Sequence, residues 1–274
     1  MSLKLMYITN EKSVAKIAEE SGVDWIFIDL EINGKVARQG HLDTVISRHH
    51  ISDIKEIKSV LTTTQILVRV NPIYDSSKDE IDKVIEAGAD IVMLPFFKTK
   101  EEVEKVIEYV NSRAKVCLLC ETPEAVSEID NILNLSGIDF IHIGLNDLHL
   151  GYKMKFMFEP LANGLVEELC SKFDQKNISY GFGGIAKIGQ GMLPAENILA
   201  EHYRLGSSMV ILSRSFCNTS EIKDMNTIRA IFQEEIHRIR KYENELVNAN
   251  RSFFAANQAK VNEIVEKKIT NKVL

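Results

Sequence analysis

Short apolar runs alternate with longer stretches of helical periodicity along almost the whole chain. The apolar runs are Leu3–Ile8, Asp24–Leu30, Gln65–Val70, Asp90–Leu94, Val116–Cys120, Ile138–Ile143, Ser179–Phe182 and Ser208–Leu212. Each has strand length and near-continuous apolar character, as expected when both faces of a strand are buried. The intervening segments Glu11–Ser21, Ser52–Leu61, Ser76–Ala87, Thr99–Asn111, Pro123–Leu133, Glu159–Asp174, Pro194–Tyr203 and Ser220–Tyr242 place apolar residues among charged ones at helical spacing. Such a stripe marks a helix with one buried face. Strand–helix alternation implies parallel strands joined by helical crossovers. Eight such pairs predict a closed (β/α)8 TIM barrel over residues 1–242, not an open doubly wound sheet. The first strand–helix turn, Thr9-Asn10-Glu11, has no glycine-rich dinucleotide fingerprint. The segment Glu243–Lys268 is polar with scattered apolar residues. Residues 243–274 are therefore expected to form a C-terminal helical extension. Eight helices already complete the outer ring, so this ninth is expected to pack on a neighbouring subunit of a homo-oligomer.

Bulk properties narrow the function. The chain has 274 residues, is 45% hydrophobic and 26% charged, and carries a formal net charge of −6. That balance argues against a nucleic-acid partner, which would call for a basic face, while a local cationic pocket for a small anion stays compatible with it. No basic-then-apolar leader opens the chain, and no apolar stretch reaches the ~18 residues of a membrane span. A cytoplasmic protein with no membrane partner is expected. Cys117, Cys120, Cys170 and Cys217 are too few for a disulfide scaffold. Cys117 and Cys120 form C-x-x-C inside a strand, where residues three apart point to opposite faces, so they are expected to be reduced core cysteines.

In a barrel of this type the chemistry sits at the C-terminal ends of the strands. The second apolar run ends in Asp29-Leu30-Glu31, the third in Arg69-Val70-Asn71, the fifth in Glu121, the sixth in Gly144-Leu145-Asn146-Asp147 and the eighth in Ser213-Arg214. Glu121 and Asp147 follow adjacent strands. Two carboxylates brought together repel, and a bound Mg²⁺ or Mn²⁺ relieves the conflict with hard oxygen ligands. No cluster with zinc spacing accompanies them, and His142 reads as a barrel-wall residue. Arg69 is charged in an apolar strand and must be paired. Either it forms a structural salt bridge or its fork binds a substrate carboxylate or oxyanion. No lysine stands near a strand's C-terminal end within the barrel, which disfavours a Schiff-base mechanism. Glycines over Gly181–Gly191, with Ser213 and Arg214, are equally compatible with tight turns and with an anion site after the last two strands.

The ordered set Asp29-Leu30-Glu31, Val68-Arg69-Val70-Asn71-Pro72, Met93-Leu94-Pro95, Glu121-Thr122 and Gly144-Leu145-Asn146-Asp147-Leu148 resembles the HpcH/HpaI aldolase/citrate lyase family, from about Leu3 to Phe216. The resemblance implies a class II-type, divalent-metal-dependent aldolase or lyase acting on a 2-oxo acid of the pyruvate type. It implies that Glu121 and Asp147 hold Mg²⁺ or Mn²⁺, that Arg69 contacts the keto acid, and that the Leu145–Asp147 backbone receives its carboxylate. Glu31, Gly144, Asn146, Ser213 and Arg214 complete the expected substrate site. The family's aldolase branch has a histidine directly after the glutamate of the second-strand motif, and here that position is Ile32. His41 is the nearest candidate for the proton-transfer group, while His49 and His50 are expected to be solvated. A CoA-thioester lyase of the citrate-lyase β-subunit type and a non-catalytic binding or assembly protein are the rival readings.

Overall fold

The eight apolar runs become eight strands: β1 (Lys4–Ile8), β2 (Trp25–Asp29), β3 (Gln65–Arg69), β4 (Ile91–Leu94), β5 (Lys115–Cys120), β6 (Phe140–Ile143), β7 (Ser179–Ile185) and β8 (Met209–Leu212). In this computed structural model, which describes residues 2–33 and 49–271, they close into a barrel in sequence order, β1 to β8. The fold is the (β/α)8 TIM barrel that the alternation predicts. Ile26, Leu67, Val92, Leu118, Ile141 and Val210 are fully buried, so the strands lie within the core. The parallel register pairs Asp29 with Arg69 and Arg69 with Met93. Polar residues just past these positions therefore collect at the C-terminal rim.

The crossovers are helical: α1 (Lys12–Glu20), α2 (Ile51–Lys58), α3 (Ser77–Ala87) and α4 (Lys100–Val110) serve the first four strands. The stretch expected as one helix after β5 is broken into α5 (Pro123–Ser127) and α6 (Ile129–Ile132). Thr122 starts it by accepting the Ala125 N–H, with Pro123 in the first turn, where its missing N–H costs nothing. Beyond β6 the chain turns at once into α7 (Leu145–Gly151), then α8 (Glu159–Ala162) and α9 (Leu165–Gln175). The early helix α7 was not anticipated, and it carries the Leu145–Asp147 segment. The chain continues with α10 (Ala195–Arg204), α11 (Met225–Val247) and α12 (Arg251–Asn271).

The C-terminal boundary differs from the expected one, because α11 continues past Tyr242 to Val247. Asn257, Val261 and Val265 are the buried residues of α12. Their four-residue spacing gives it one docking stripe. Asn257 accepts a 2.7 Å bond from Asn197 Nδ2 and donates to Glu201 Oε1 at 2.8 Å. The last helix thus has a seat on α10 of its own chain, correcting the argument that a ninth helix lacks one. The chain divides into two compact units, Met6–Ile141 and Met1–Leu5 with His142–Leu274. Among the described residues no helix is long and apolar enough to cross a membrane.

Candidate active site

Within the unit Met6–Ile141 the rim is organised around one arginine. Arg69 ends β3, and its register partner Asp29 ends β2. Arg69 Nε donates to Asp29 Oδ1 at 2.9 Å and Nη2 to Oδ2 at 2.8 Å. Glu31 Oε2 lies 3.4 Å from Arg69 Nε, and the guanidinium sits 5.5 Å from the Phe27 ring centroid. Both carboxylates are almost wholly buried, with 2% and 1% of their side-chain surface exposed against 14% for Arg69. Burial works against the Arg69 charge, but Asp29, Glu31 and Glu121 more than offset it and raise its pKa. The structural salt bridge is therefore present, and it consumes the Nε–Nη2 side of the fork. A planar guanidinium has a second, end-on pair of N–H groups on Nη1 and Nη2, which Asp29 does not use. An oxyanion binding Arg69 would meet that end.

Glu121 is the first residue beyond β5 and is 3% exposed. Its Oε1 accepts the Phe96 N–H at 3.1 Å. Phe96 has φ +50°, a left-handed conformation that costs a residue with a Cβ about 1–3 kcal/mol and persists where its surroundings impose it. Here it turns a backbone N–H onto a buried carboxylate. A second clamp follows β3. Asn71 Oδ1 accepts the N–H groups of both Ile32 and Asn33 at 2.9 Å, and its Nδ2 donates to Glu80 Oε1 at 2.7 Å. Burial raises the Glu80 pKa, against the opposing bonds from Asn71. This pair fixes the chain leaving β2, where the side chain of Ile32 is 60% exposed.

His49 is not solvated as expected. It is half-buried, and its Nδ1 accepts the Asp29 N–H at 3.0 Å. His50 is exposed, as anticipated. His41 lies outside the described residues.

The unit containing His142–Leu274 holds the remaining expected residues. Asp147 stands in the first turn of α7 and is 7% exposed. Leu145 is buried, while Gly144 and Asn146 are half-buried. The Leu148 N–H bonds to the Gly144 carbonyl. The amides of Leu145, Asn146 and Asp147 thus precede the first intrahelical bond, as at any helix start. Two neighbours shape this turn. A Cβ on Gly183 would lie 2.8 Å from Leu145 Cδ1, and Gly183 has φ +55°, so only glycine serves there. His142 Nε2–H donates to the Gly183 carbonyl at 3.0 Å, which makes His142 a wall residue, as the sequence indicates. Gly181 is required as well, because a Cβ there would come 2.1 Å from the Met209 carbonyl oxygen. Packing thus accounts for two glycines of the GFGG segment. Ser213 is half-buried, with its N–H bonded to the Ile185 carbonyl, and Arg214 is exposed.

Among the described residues, no three or more His, Cys, Asp or Glu side chains converge as a metal cage. The donors fit a hard divalent cation of the kind that keeps waters and takes one or two carboxylates. Three carboxylates, Asp29, Glu31 and Glu121, act on the Arg69 charge. Cys117 and Cys120 are free and buried. Burial pushes the Cys120 thiol up to about 12 and Cys117 higher still, so neither is a thiolate ligand. Four groups escaped the sequence reading: Asp29 as the partner of Arg69, the Asn71–Glu80 clamp, Phe96, and His49. Asp29 and Asn71 lie inside the quoted motifs and could have been found there. Nothing in the sequence marks Glu80 or the left-handed Phe96.

Known proteins agree with this architecture. A hydroxypyruvate/pyruvate aldolase of Agrobacterium fabrum (strain C58) is 26% identical, over 57% of this chain and 65% of its own. The chain thus spans just under two thirds of that relative. The crystal structure of an HpcH/HpaI aldolase from Desulfitobacterium hafniense matches 83% of this chain and 93% of its own, with TM-score 0.63 and 17% identity. An HpcH/HpaI aldolase/citrate lyase family protein from Burkholderia cenocepacia matches 83% and 95%, with TM-score 0.63 and 14% identity. A citrate synthase variant matches 77% and 85%, with TM-score 0.57 and 17% identity. These structural likenesses establish the barrel alone. The family model covers residues 4–159, a stretch that contains Asp29, Glu31, Arg69, Glu121 and Asp147, and the chain belongs to the HpcH/HpaI aldolase/citrate lyase family.

Proposed function

We propose that this chain is a divalent-metal-dependent aldolase or lyase that makes or breaks a carbon–carbon bond next to a 2-oxo acid of the pyruvate type. The observation that carries the reading is Arg69. It is held rigidly by Asp29 through one side of its fork and keeps an end-on pair of donors for an oxyanion. A donor fixed before the reaction stabilises developing charge without reorganising. Glu121 and Asp147 would hold Mg²⁺ or Mn²⁺, which when bound would act as a Lewis acid toward the keto oxygen. Phe96 N–H orients Glu121, and Gly183 leaves room for the Leu145–Asp147 turn, whose amides would receive the substrate carboxylate. Glu31, beside Arg69, restrains the guanidinium from a second direction. Gly144 and Asn146 would line the same turn, and Ser213 and Arg214 a distal anion subsite. His41 is proposed as the proton-transfer group. The working form is proposed to be a cytoplasmic homo-oligomer.

Exchange of the methyl protons of pyruvate with solvent deuterium, followed by NMR with Mg²⁺ or Mn²⁺, tests this without knowing the second substrate. Exchange that stops with EDTA is expected. Pyruvate binding without exchange under either metal would refute the pyruvate reading and favour a CoA-thioester lyase or a non-catalytic binding protein.

A further inference from the structure

The backbone that leaves β2 is pinned at four consecutive amides. Leu30 N–H bonds to the Arg69 carbonyl. Glu31 N–H bonds to Asp29 Oδ1 at 3.2 Å. The N–H groups of Ile32 and Asn33 both end on Asn71 Oδ1 at 2.9 Å. Between these anchors stands Glu31, 1% exposed, whose carboxylate lies 3.4 Å from Arg69 Nε. All of these residues belong to the unit Met6–Ile141.

The last two bonds depend on which way the Asn71 amide points. An asparagine side chain ends in an oxygen that only accepts and a nitrogen that only donates, and turning it about its last bond exchanges the two. Backbone N–H groups can meet only the oxygen. Glu80 decides the orientation. It stands in the first half of α3 and is 8% exposed. Its Oε1 accepts both the Asn71 N–H at 3.3 Å and Nδ2 at 2.7 Å. A carboxylate oxygen only accepts, so Asn71 must show it the nitrogen and turn the oxygen toward Ile32 and Asn33. A flipped amide would set oxygen against oxygen at Glu80 and nitrogen against two N–H groups. Asn71 is 7% exposed, so water replaces lost partners only at a cost.

We propose that Glu80 is a positioning residue of this site: by forcing the Asn71 amide into one orientation it clamps the backbone after β2, sets Glu31 against Arg69, and so fixes the direction in which Arg69 presents its end-on donors. Asn71 lies two positions past Arg69, and Ile32 directly follows Glu31. A clamp joining Asn71 to Ile32 is therefore coupled to both members of the Glu31–Arg69 contact. Glu80 acts through Asn71 and moves no proton in the reaction. This rests on the 2-oxo acid reading above.

Hydrogen exchange and kinetics on the full chain test it. In the wild type the amides of Ile32 and Asn33 are expected to be protected, and unprotected amides there overturn the proposal without any variant. Glu80→Met removes the acceptor at similar volume. It should speed exchange at Ile32 and Asn33 by about 10–100-fold, as for loss of two ordinary hydrogen bonds, while the strand amides keep their protection. With Mg²⁺ and saturating pyruvate, its rate of methyl-proton exchange should fall by about 10²-fold, the effect of a misplacement of about 1 Å. Glu80→Gln can still accept through Oε1 and should recover most of both losses. If Glu80 only supports the fold, Glu80→Met lowers Tm, speeds amides throughout the unit and leaves the pyruvate rate of the folded protein unchanged, which overturns the proposal. A wild type without pyruvate exchange, with Ile32 and Asn33 still released in Glu80→Met, refutes the 2-oxo acid reading and leaves the clamp standing.

Discussion

Acid should destabilise this protein through a buried pair of imidazoles. His142 and His202 are 1% and 0% exposed. His142 donates through Nε2 to the Gly183 carbonyl. His202 stacks on Phe182 at 3.9 Å between ring centroids and pairs through Nδ1 with Ser207 Oγ at 2.7 Å. Burial lowers the His142 pKa from 6.5 to about 4, with the Gly183 bond opposing it, and burial together with the charge of His142 lowers His202. Below pH 6.5 the unfolded chain takes up a proton at His142 while the folded chain does not until about pH 4. Stability is therefore complete above pH 6.5 and falls as the pH drops toward 4. With about 1.36 kcal/mol per pKa unit, His142 alone accounts for about 3 kcal/mol over that window, of which about 2 kcal/mol is lost by pH 5. His202 adds in the same direction. The assay is urea unfolding at pH 7 and pH 5 for the wild type and for His142→Gln, which keeps an amide donor near the Gly183 carbonyl. Carboxylate effects are common to both proteins and cancel in the difference. The variant should lose about 2 kcal/mol less than the wild type between the two pH values. Equal losses would refute the burial argument.

Further outcomes follow from the rim and from the last helix. Glu121→Gln and Asp147→Asn should each abolish tight Mn²⁺ binding by calorimetry while the far-ultraviolet circular dichroism is retained. Unchanged affinity in both would remove the metal assignment. Arg69→Lys keeps a charge near Asp29 and Glu31 but loses the end-on pair of donors, so pyruvate exchange should fall about 10²–10³-fold. Asp29→Asn leaves a buried guanidinium poorly compensated, and urea unfolding should show a loss of about 3–5 kcal/mol. Asn257→Ala strips partners from the buried Asn197 and Glu201 and should cost about 1–3 kcal/mol by the same assay.

The barrel was legible because its signal is periodic and repeated eight times. Runs such as Trp25–Asp29 and Ile91–Leu94 are too apolar and too short to be anything but buried strands, and each is followed by a striped helix. The rim residues were legible for a related reason, since a charge at the end of an apolar run, as at Arg69 or Glu121, has few places to go. What stayed hidden depends on contacts distant in sequence. The partnership of Arg69 with Asp29 spans 40 positions, and that of Asn71 with Ile32 spans 39. The break between α5 and α6 and the early turn of α7 are local departures from a helical pattern, and composition does not signal them. The seat of α12 could not be read either, because a polar trio of Asn197, Glu201 and Asn257 supplies much of it. Periodicity detects apolar stripes, not buried amide pairs.

The Arg69–Asp29 pair also bears on how this site would receive a substrate. An arginine whose side-on donors are already bound to a carboxylate is a fixed dipole as much as a free cation. An oxyanion bound to it would meet the end-on pair of N–H groups and approach from that side. Glu31 and Glu121 act on the same guanidinium and help to hold its charge. On the reading proposed above, a bound divalent metal would add positive charge at this rim and is expected to favour an acidic substrate. The expected order is metal before keto acid. Calorimetry should therefore detect oxalate binding in the presence of Mg²⁺ and lose it with EDTA, and equal affinity with and without metal would mean that Arg69 alone governs the site.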